Sequence, residues 1–393
     1  MVSVRMKVTI LGFAALTSLA AAGMATQTQR ATGAKSDRVA LDAHRSLGTP
    51  HAYRNLTLIP VYDNTARSAD TYITLDEGLK SKQVTVKESK DGGDVNTLYV
   101  TNDGRKPLYL MGGEVVLGGQ QDRTLGKDTI VPSGAKDIPV TVFCVEHGRW
   151  TGHKEFEAAA PSVAGRIVRT NAQDGEFYAT RETAGAVNGS SGQPVGRSAR
   201  LPAQIAADAP IRVSGSSRVG AAQQKVWDKV AETNTKLKTQ SATGTYRNAL
   251  TLSSGDAQKS VPAFVTALSG SIGTDPHLVG VVAAVNGKVI AADIFGDPSL
   301  FRKLWPKLLR SYAADALENP QPDSPKAPIV TAAHAKAFLI TATDAKSRVE
   351  NKSDVSSTVR YESSEAVTYS LLPAGAAGGG FGGGAVHTGV LGK

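Results

Sequence analysis

Within residues 278–295 two apolar runs, VGVVAAV and KVIAADIF, flank Asn286-Gly287. Asparagine followed by glycine is the pair best suited to a two-residue type I′ turn, because both central positions need positive φ. Small and β-branched residues on either side complete the pattern of an antiparallel hairpin. The constraint continues beyond it. Asp297 is placed to cap a helix with Pro298 at its first position, where a missing amide hydrogen costs little. Leu300, Phe301, Leu304, Trp305, Leu308 and Tyr312 recur on one face of that helix. Pro306 clashes with the turn before it and predicts a kink or restart near Trp305. Helical spacing also predicts helices over 223–237, 261–268 and 331–341, and a last hairpin joins 359–361 to 367–371.

The first half reads differently. Short alternating stretches at 56–62, 71–75, 84–88, 97–101, 106–110, 114–117, 129–131 and 139–145 are separated by turn residues. Many short strands at this spacing predict an antiparallel sandwich or open barrel. Asp103-Gly104 predicts a hairpin joining 97–101 to 106–110, and 76–82 a helical turn. The fold class is therefore α+β: a β-rich antiparallel sandwich or open barrel over 55–182 and an α/β half over 221–372. Residues 183–220, dominated by Gly, Ser, Ala, Pro and Arg, read as a flexible loop or linker.

The two ends are read from composition. Arg5 and Lys7 precede a short apolar run and a series of small residues, so 1–25 reads as a secretory signal and predicts a periplasmic or secreted protein. That run is shorter than the ~20 apolar residues of a membrane span, and no later segment is long and apolar enough to be one. Residues 26–54 are polar and basic, as in a tether, and 373–393 is expected to be a glycine-rich disordered tail. Gly378, Gly380 and Gly383 have dinucleotide-loop spacing but no strand-to-helix context. The one cysteine, Cys144, forbids an intrachain disulfide and sits in an apolar run, as a packed side chain does. The net charge of +9 is concentrated in the signal, tether and linker. Dispersed positive charge suits solubility and weak adhesion to anionic surfaces rather than a nucleic-acid groove, so no specific nucleic-acid partner is expected.

Chemically able side chains concentrate in residues 108–150. Gly112-Gly113-Glu114 and Gly118-Gly119-Gln120-Gln121-Asp122-Arg123 frame a short apolar strand, and paired glycines let a ligand or second chain approach the backbone closely. Glu114 and Asp122, one at each end, can orient a water, hold a cation or bind hydroxyls. Arg123 suits a phosphate, or fixes the neighbouring carboxylate. The next strand runs into Glu146-His147-Gly148-Arg149-Trp150, with Glu146 as general base or ligand, Arg149 as anion clamp and Trp150 as stacking wall or packed side chain. A tight β-arch held by a structural Asp-Arg pair explains the same residues, since ion-pair networks mimic sites. Metal ligation is left unassigned: His147, His153, Glu146 and Glu155 lack a zinc spacing, while Glu114, Asp122 and Glu146 suit a hard cation. Gly126-Lys127-Asp128 is not a phosphate-binding loop, and no G-x-S-x-G elbow is present. In the second half Asp293 and Asp297 flank Phe295-Gly296, and His277 lies in a loop.

The stretch GGEVVLGGQQDRTLGKDTIVPSGAKDIPVTVFCVEHGRW resembles the ARG and Rhodanese-Phosphatase-superfamily-associated protein domain family. The resemblance continues through residues 223–227 and VGVVAAVNGKVIAADIFGDPSLFRKLWPKLLRSYAADAL, covering most of 55–372. Its matching positions are Gly113, Glu114, Gly119, Gln121, Asp122, Arg123, Glu146, Gly148, Arg149 and Trp150. The resemblance implies association with ADP-ribose or related phosphorylated nucleosides, and carries no catalytic mechanism or cofactor.

Together these features predict an exported protein that binds or processes a small polar, phosphorylated or ADP-ribose-like ligand. Glu114, Asp122 and Glu146 are the candidate catalytic groups, and Gly113, Gly119, Gln121, Arg123, Arg149 and Trp150 the candidate ligand contacts. A non-enzymatic envelope protein with a structural or interaction role is the first alternative, and a metal-dependent hydrolase the second.

Overall fold

The computed structural model describes residues 44–88, 95–149, 156–188, 217–252, 260–321, 328–344, 347–353, 355–374 and 384–393. The signal, most of the tether, residues 189–216 of the linker, residues 375–383 of the tail, Trp150, His153 and Glu155 lie outside them. In chain order the first elements are β1 (Arg45–Leu47), β2 (His51–Tyr53), β3 (Leu56–Asp63), β4 (Ile73–Thr74), α1 (Leu75–Lys80), β5 (Val84–Lys87) and β6 (Thr97–Asn102). Then come β7 (Leu108–Leu110), β8 (Glu114–Leu117), β9 (Arg123–Leu125), β10 (Thr129–Val131), β11 (Ile138–Cys144) and β12 (Glu157–Val163). Four helices follow: α2 (Arg166–Asn188), α3 (Ser217–Leu237), α4 (Arg247–Leu250) and α5 (Val261–Leu268). The chain continues through β13 (Leu278–Val285), β14 (Lys288–Phe295), α6 (Pro298–Glu318) and α7 (Ala332–Thr343). It finishes with β15 (Ser347–Lys352), β16 (Ser356–Glu362), β17 (Ala366–Pro373) and β18 (His387–Gly392).

The β13–β14 hairpin forms as its sequence dictates. Asn286 and Gly287 take φ of 52° and 78°, the two positive values a type I′ turn needs. Its apolar runs are unbroken because both faces are covered. Val281, Ala283, Val285, Ala291 and Phe295 pack toward α5 and α6, while Val279, Val282, Ala284, Val289, Ala292 and Ile294 pack toward Ala335, Leu339 and Ala342 of α7. The hairpin lies inside a nine-stranded sheet of order β1-β3-β13-β14-β18-β17-β16-β15, with β2 also on β3. This sheet draws β1–β3 from the beginning of the described chain and the rest from beyond residue 277.

A six-stranded sheet, β12-β8-β9-β11-β6-β5, curls into a half-barrel, and a three-stranded sheet, β10-β7-β4, lies beside it. Val86, Leu98, Val100, Val116, Leu125, Val140 and Val142 of the first meet Leu108, Leu110 and Val131 of the second and Leu75 of α1 in one apolar cluster. The outer side of the six-stranded sheet is covered by α2 and α3, through Val168, Ala172, Val226 and Val230 against Val115, Phe143 and Val145. The protein is thus mixed α+β and β-rich.

Several expectations need correction. The strands at 97–102 and 108–110 do not form a hairpin: β6 pairs with β5 and β11, and β7 with β10 and β4. Asn102 decides this. Its Oδ1 accepts from Gly104 N at 3.0 Å, and its Nδ2 donates to Lys106 O at 3.0 Å and Val131 O at 3.1 Å, a side-chain turn that diverts the chain into a different sheet. Asp297 caps α6 through Ser299 N, and α6 runs through Pro306 without a restart. Pro306 lies on the exposed side, while Leu304, Trp305, Leu308 and Leu309 hold both flanking turns in the core. Residues 44–54 of the tether include β1 and β2, and α2 and α3 extend into the stretch read as linker. The tail expectation fails at 387–392, where β18 sits between β14 and β17, fully buried.

Gly280 shows how closely this sheet is packed. A Cβ there would lie 2.3 Å from Asp293 O and 2.9 Å from Ile294 Cα. Gly280→Ala should therefore destabilise the protein by about 1–3 kcal/mol, read as a lower urea midpoint with unchanged slope.

Candidate functional site

The candidates from residues 108–150 divide among three places. At the start of β8, Glu114 is buried and pairs with Lys307 of α6, which also contacts Asp76 of α1 at 2.8 Å. Met111 N donates to its second oxygen at 3.2 Å. Burial pushes the Glu114 carboxyl up against the opposing pull of Lys307. Burial also works against the charged form of Lys307, yet Glu114 and Asp76 outweigh it and raise its pKa. Gly113 beside them has φ of 90°, and a Cβ there would lie 2.6 Å from Arg169 Cγ. Glycine is needed here because the stem of a helical arginine crosses its backbone.

Arg123 and Gln121 occupy a second place. Arg123 is 1% exposed; its Nε donates to Val95 O at 3.2 Å, its Nη1 to Gln121 Oε1 at 3.2 Å, and its Nη2 faces Glu88 Oε1 at 3.5 Å. A guanidinium occupied in this way ties β9 to Glu88 and Val95.

Asp122, Glu146 and Arg149 do converge. Arg149 contacts Glu146 Oε2 through Nε at 2.9 Å and through Nη2 at 2.8 Å, and its Nη2 reaches Asp122 Oδ1 at 3.2 Å. Its Nη1 donates to Gly119 O at 2.8 Å. Asp122 N donates to Glu146 Oε2 at 3.1 Å, and Thr245 Oγ1 donates to Asp122 Oδ2 at 2.8 Å. Burial raises the Asp122 carboxyl, whereas for Glu146 the bonds from Arg149, Thr243 and Asp122 N outweigh burial and lower it. The network joins the turn at 118–122, the turn at 146–149 and the segment at 243–246, the last also held by Gly148 N to Thr243 O at 2.8 Å. Most of its polar capacity is already spent inside the protein.

A further cluster forms from residues that spacing alone leaves unconnected. His387, at the start of β18 and fully buried, has Asp128 Oδ2 at 2.6 Å from Nδ1 and Asp293 Oδ1 at 3.0 Å from Nε2. Phe295 stacks on its ring with centroids 4.3 Å apart. Asp128 also accepts from Gly112 N at 2.7 Å. Asp293 forms an ion pair with Arg169 Nη2 at 2.8 Å and receives the Tyr312 hydroxyl. Burial opposes a charged imidazole, but the carboxylates of Asp128 and Asp293 outweigh it and raise the His387 pKa. Burial likewise opposes the charged form of Asp293, and Arg169 and His387 outweigh it to hold that carboxyl well below its usual range. The cluster ties the loop before β10 to β14, β18, α2 and α6.

Asp128 also lines a cleft of about 260 Å³ between the loop at 127–130, the inner face of α2 and the strands β15–β17. Gln173 and Glu176 of α2 form one side, Lys127 and Lys352 stand at the wall, and Phe177 and Tyr369 add aromatic surface. Glu176 binds Lys127 at 2.7 Å. Gln173 is 3% exposed, and its Oε1 has no hydrogen-bond partner among the described residues. That atom is an acceptor withdrawn from water, on a residue that lines the cleft. Among the described residues no group of three or more His, Cys, Asp or Glu side chains is arranged to hold a metal ion, and no helix is long and apolar enough to cross a membrane.

The family model described as ARG and Rhodanese-Phosphatase-superfamily-associated Protein domain matches residues 44–388. The chain belongs to this family. The match takes in the 108–149 networks, α2, the cleft and His387. No curated protein and no solved structure matches the chain.

For the Asp122–Glu146–Arg149 network, Asp122→Ala should lower stability by about 1–3 kcal/mol, because Thr245 and Arg149 lose a buried partner. Thermal melting checks this; an unchanged melt would mean that the network is not a structural tie.

Proposed function

We propose that the protein binds a small polar ligand, ribosyl or phosphorylated, in the cleft between α2, the loop at 127–130 and β15–β17, and that it does so outside the cytoplasm. The observation that carries this is Gln173 Oε1. A buried acceptor without a donor costs about 1–3 kcal/mol, and turning the Gln173 amide toward the cleft lets a ligand hydroxyl supply the donor. The neighbouring groups suit the same chemistry. Carboxylates of Asp128 and Glu176 accept from further hydroxyls, the ammonium groups of Lys127 and Lys352 complement a phosphate, and Phe177 and Tyr369 offer faces to a ring. In this reading the 108–149 stretch builds the frame, and Asp128 is its contribution to the ligand.

Calorimetry of the purified chain with ADP-ribose and ribose 5-phosphate tests it. Gln173→Leu should weaken binding about tenfold, or about 1.4 kcal/mol, with a melting temperature at or above the parent's, since the variant removes an unsatisfied polar atom. Absence of binding heat with either compound in the parent protein would overturn the reading.

Export is supported by the positive start, short apolar run and small-residue segment of residues 1–25. The chain recovered from the extracytoplasmic fraction should begin near residue 26 on N-terminal sequencing. Recovery only in the cytoplasm, beginning at Met1, counts against it.

A further inference from the structure

His387 has a carboxylate on each ring nitrogen, and only the protonated ring can donate to both. With the proton present, the buried charges of Asp128, His387, Asp293 and Arg169 sum to zero. Without it they sum to one negative charge, and one carboxylate must face a lone pair. The two carboxylates are unequally held. Asp293 keeps Arg169 and the Tyr312 hydroxyl, whereas Asp128 keeps Gly112 N. Loss of the proton therefore falls on the bond to Asp293, and the remaining N–H stays on Asp128, the member that lines the cleft.

We propose that Asp128, His387 and Asp293 form a proton-binding site coupled to the cleft, so that an anionic ligand enters together with a proton held on His387. This rests on the cleft being a ligand site. The groups facing His387 are Asp128 from the loop before β10, Asp293 from β14, Arg169 from α2, Tyr109 from β7 and Tyr312 from α6. Burial raises both tyrosine pKa values far above the ordinary one, keeping both hydroxyls neutral. The carboxylates already raise the His387 pKa, and an anion placed beside Asp128 raises it further. By reciprocity, whatever favours the proton favours the anion by the same factor.

The test is proton uptake on binding ribose 5-phosphate, measured by calorimetry in buffers of different ionisation enthalpy. Uptake of up to one proton is expected, with affinity falling by up to about tenfold per pH unit above the His387 titration. Uncharged ribose should take up none. His387→Gln should abolish the uptake, apart from what the phosphate's own ionisation contributes, which the variant measures directly. Should that variant not fold, nuclear magnetic resonance of the ligand-free parent decides: the His387 imidazole and the Gln173 side-chain amide should titrate with one midpoint. Ribose 5-phosphate binding without proton uptake overturns the coupling and leaves the cleft reading standing. If no ligand binds, the cleft reading falls, and separate midpoints for His387 and Gln173 overturn the coupling independently.

Discussion

A buried imidazole between two carboxylates persists only if every charge around it is matched, because an unpaired ion in a low-dielectric interior costs several kcal/mol. In this protein the matching groups come from distant parts of the chain: Asp128 from the loop before β10, Arg169 from α2, Asp293 from β14, Tyr312 from α6 and His387 from β18. Moving Asp128, Arg169 or His387 away from its partner leaves a buried charge unmatched. The three-stranded sheet, the nine-stranded sheet and two helices therefore share one electrostatic joint, and the cleft lies against it.

Much of the framework is legible in the sequence where local chemistry and tertiary packing agree. The Asn286-Gly287 turn, the Asp297 cap and the strands at 114–117 and 129–131 follow from turn geometry and alternation. Agreement breaks where a side chain overrules the local signal. Asn102 folds its own segment into a side-chain turn, so Asp103-Gly104 never becomes a hairpin. Helix α2 escapes periodicity for a chemical reason: Arg169, Gln173 and Glu176 lie buried on its inner face, so the apolar repeat that announces a helix is interrupted by polar residues.

Clustering did not find the cleft, since none of its lining side chains was among the candidates. Clustering singled out Asp122, Glu146 and Arg149, and these do meet. The same clustering joined Glu114 and Arg123 to them, although Lys307 holds one and Glu88 with Gln121 holds the other. Dense titratable residues along a chain thus reported three separate ties. His387 was hidden for the opposite reason, since glycine-rich surroundings gave it neither periodicity nor neighbours, and only strand pairing brings it to Asp128.

The place of β18 carries one more consequence, concerning order in time. It is the last strand in chain order, yet it lies between β14 and β17 near the middle of the large sheet. During synthesis the β13–β14 hairpin can find β3, and β15–β17 can form their meander, but neither piece has its partner edge until residues 387–392 emerge. Until then two strand edges stand open, and Asp128 and Asp293 lack the imidazole between them. Completion of the sheet therefore depends on a long-range pairing, β14 with β18, and the loop-closure entropy of such pairings slows folding.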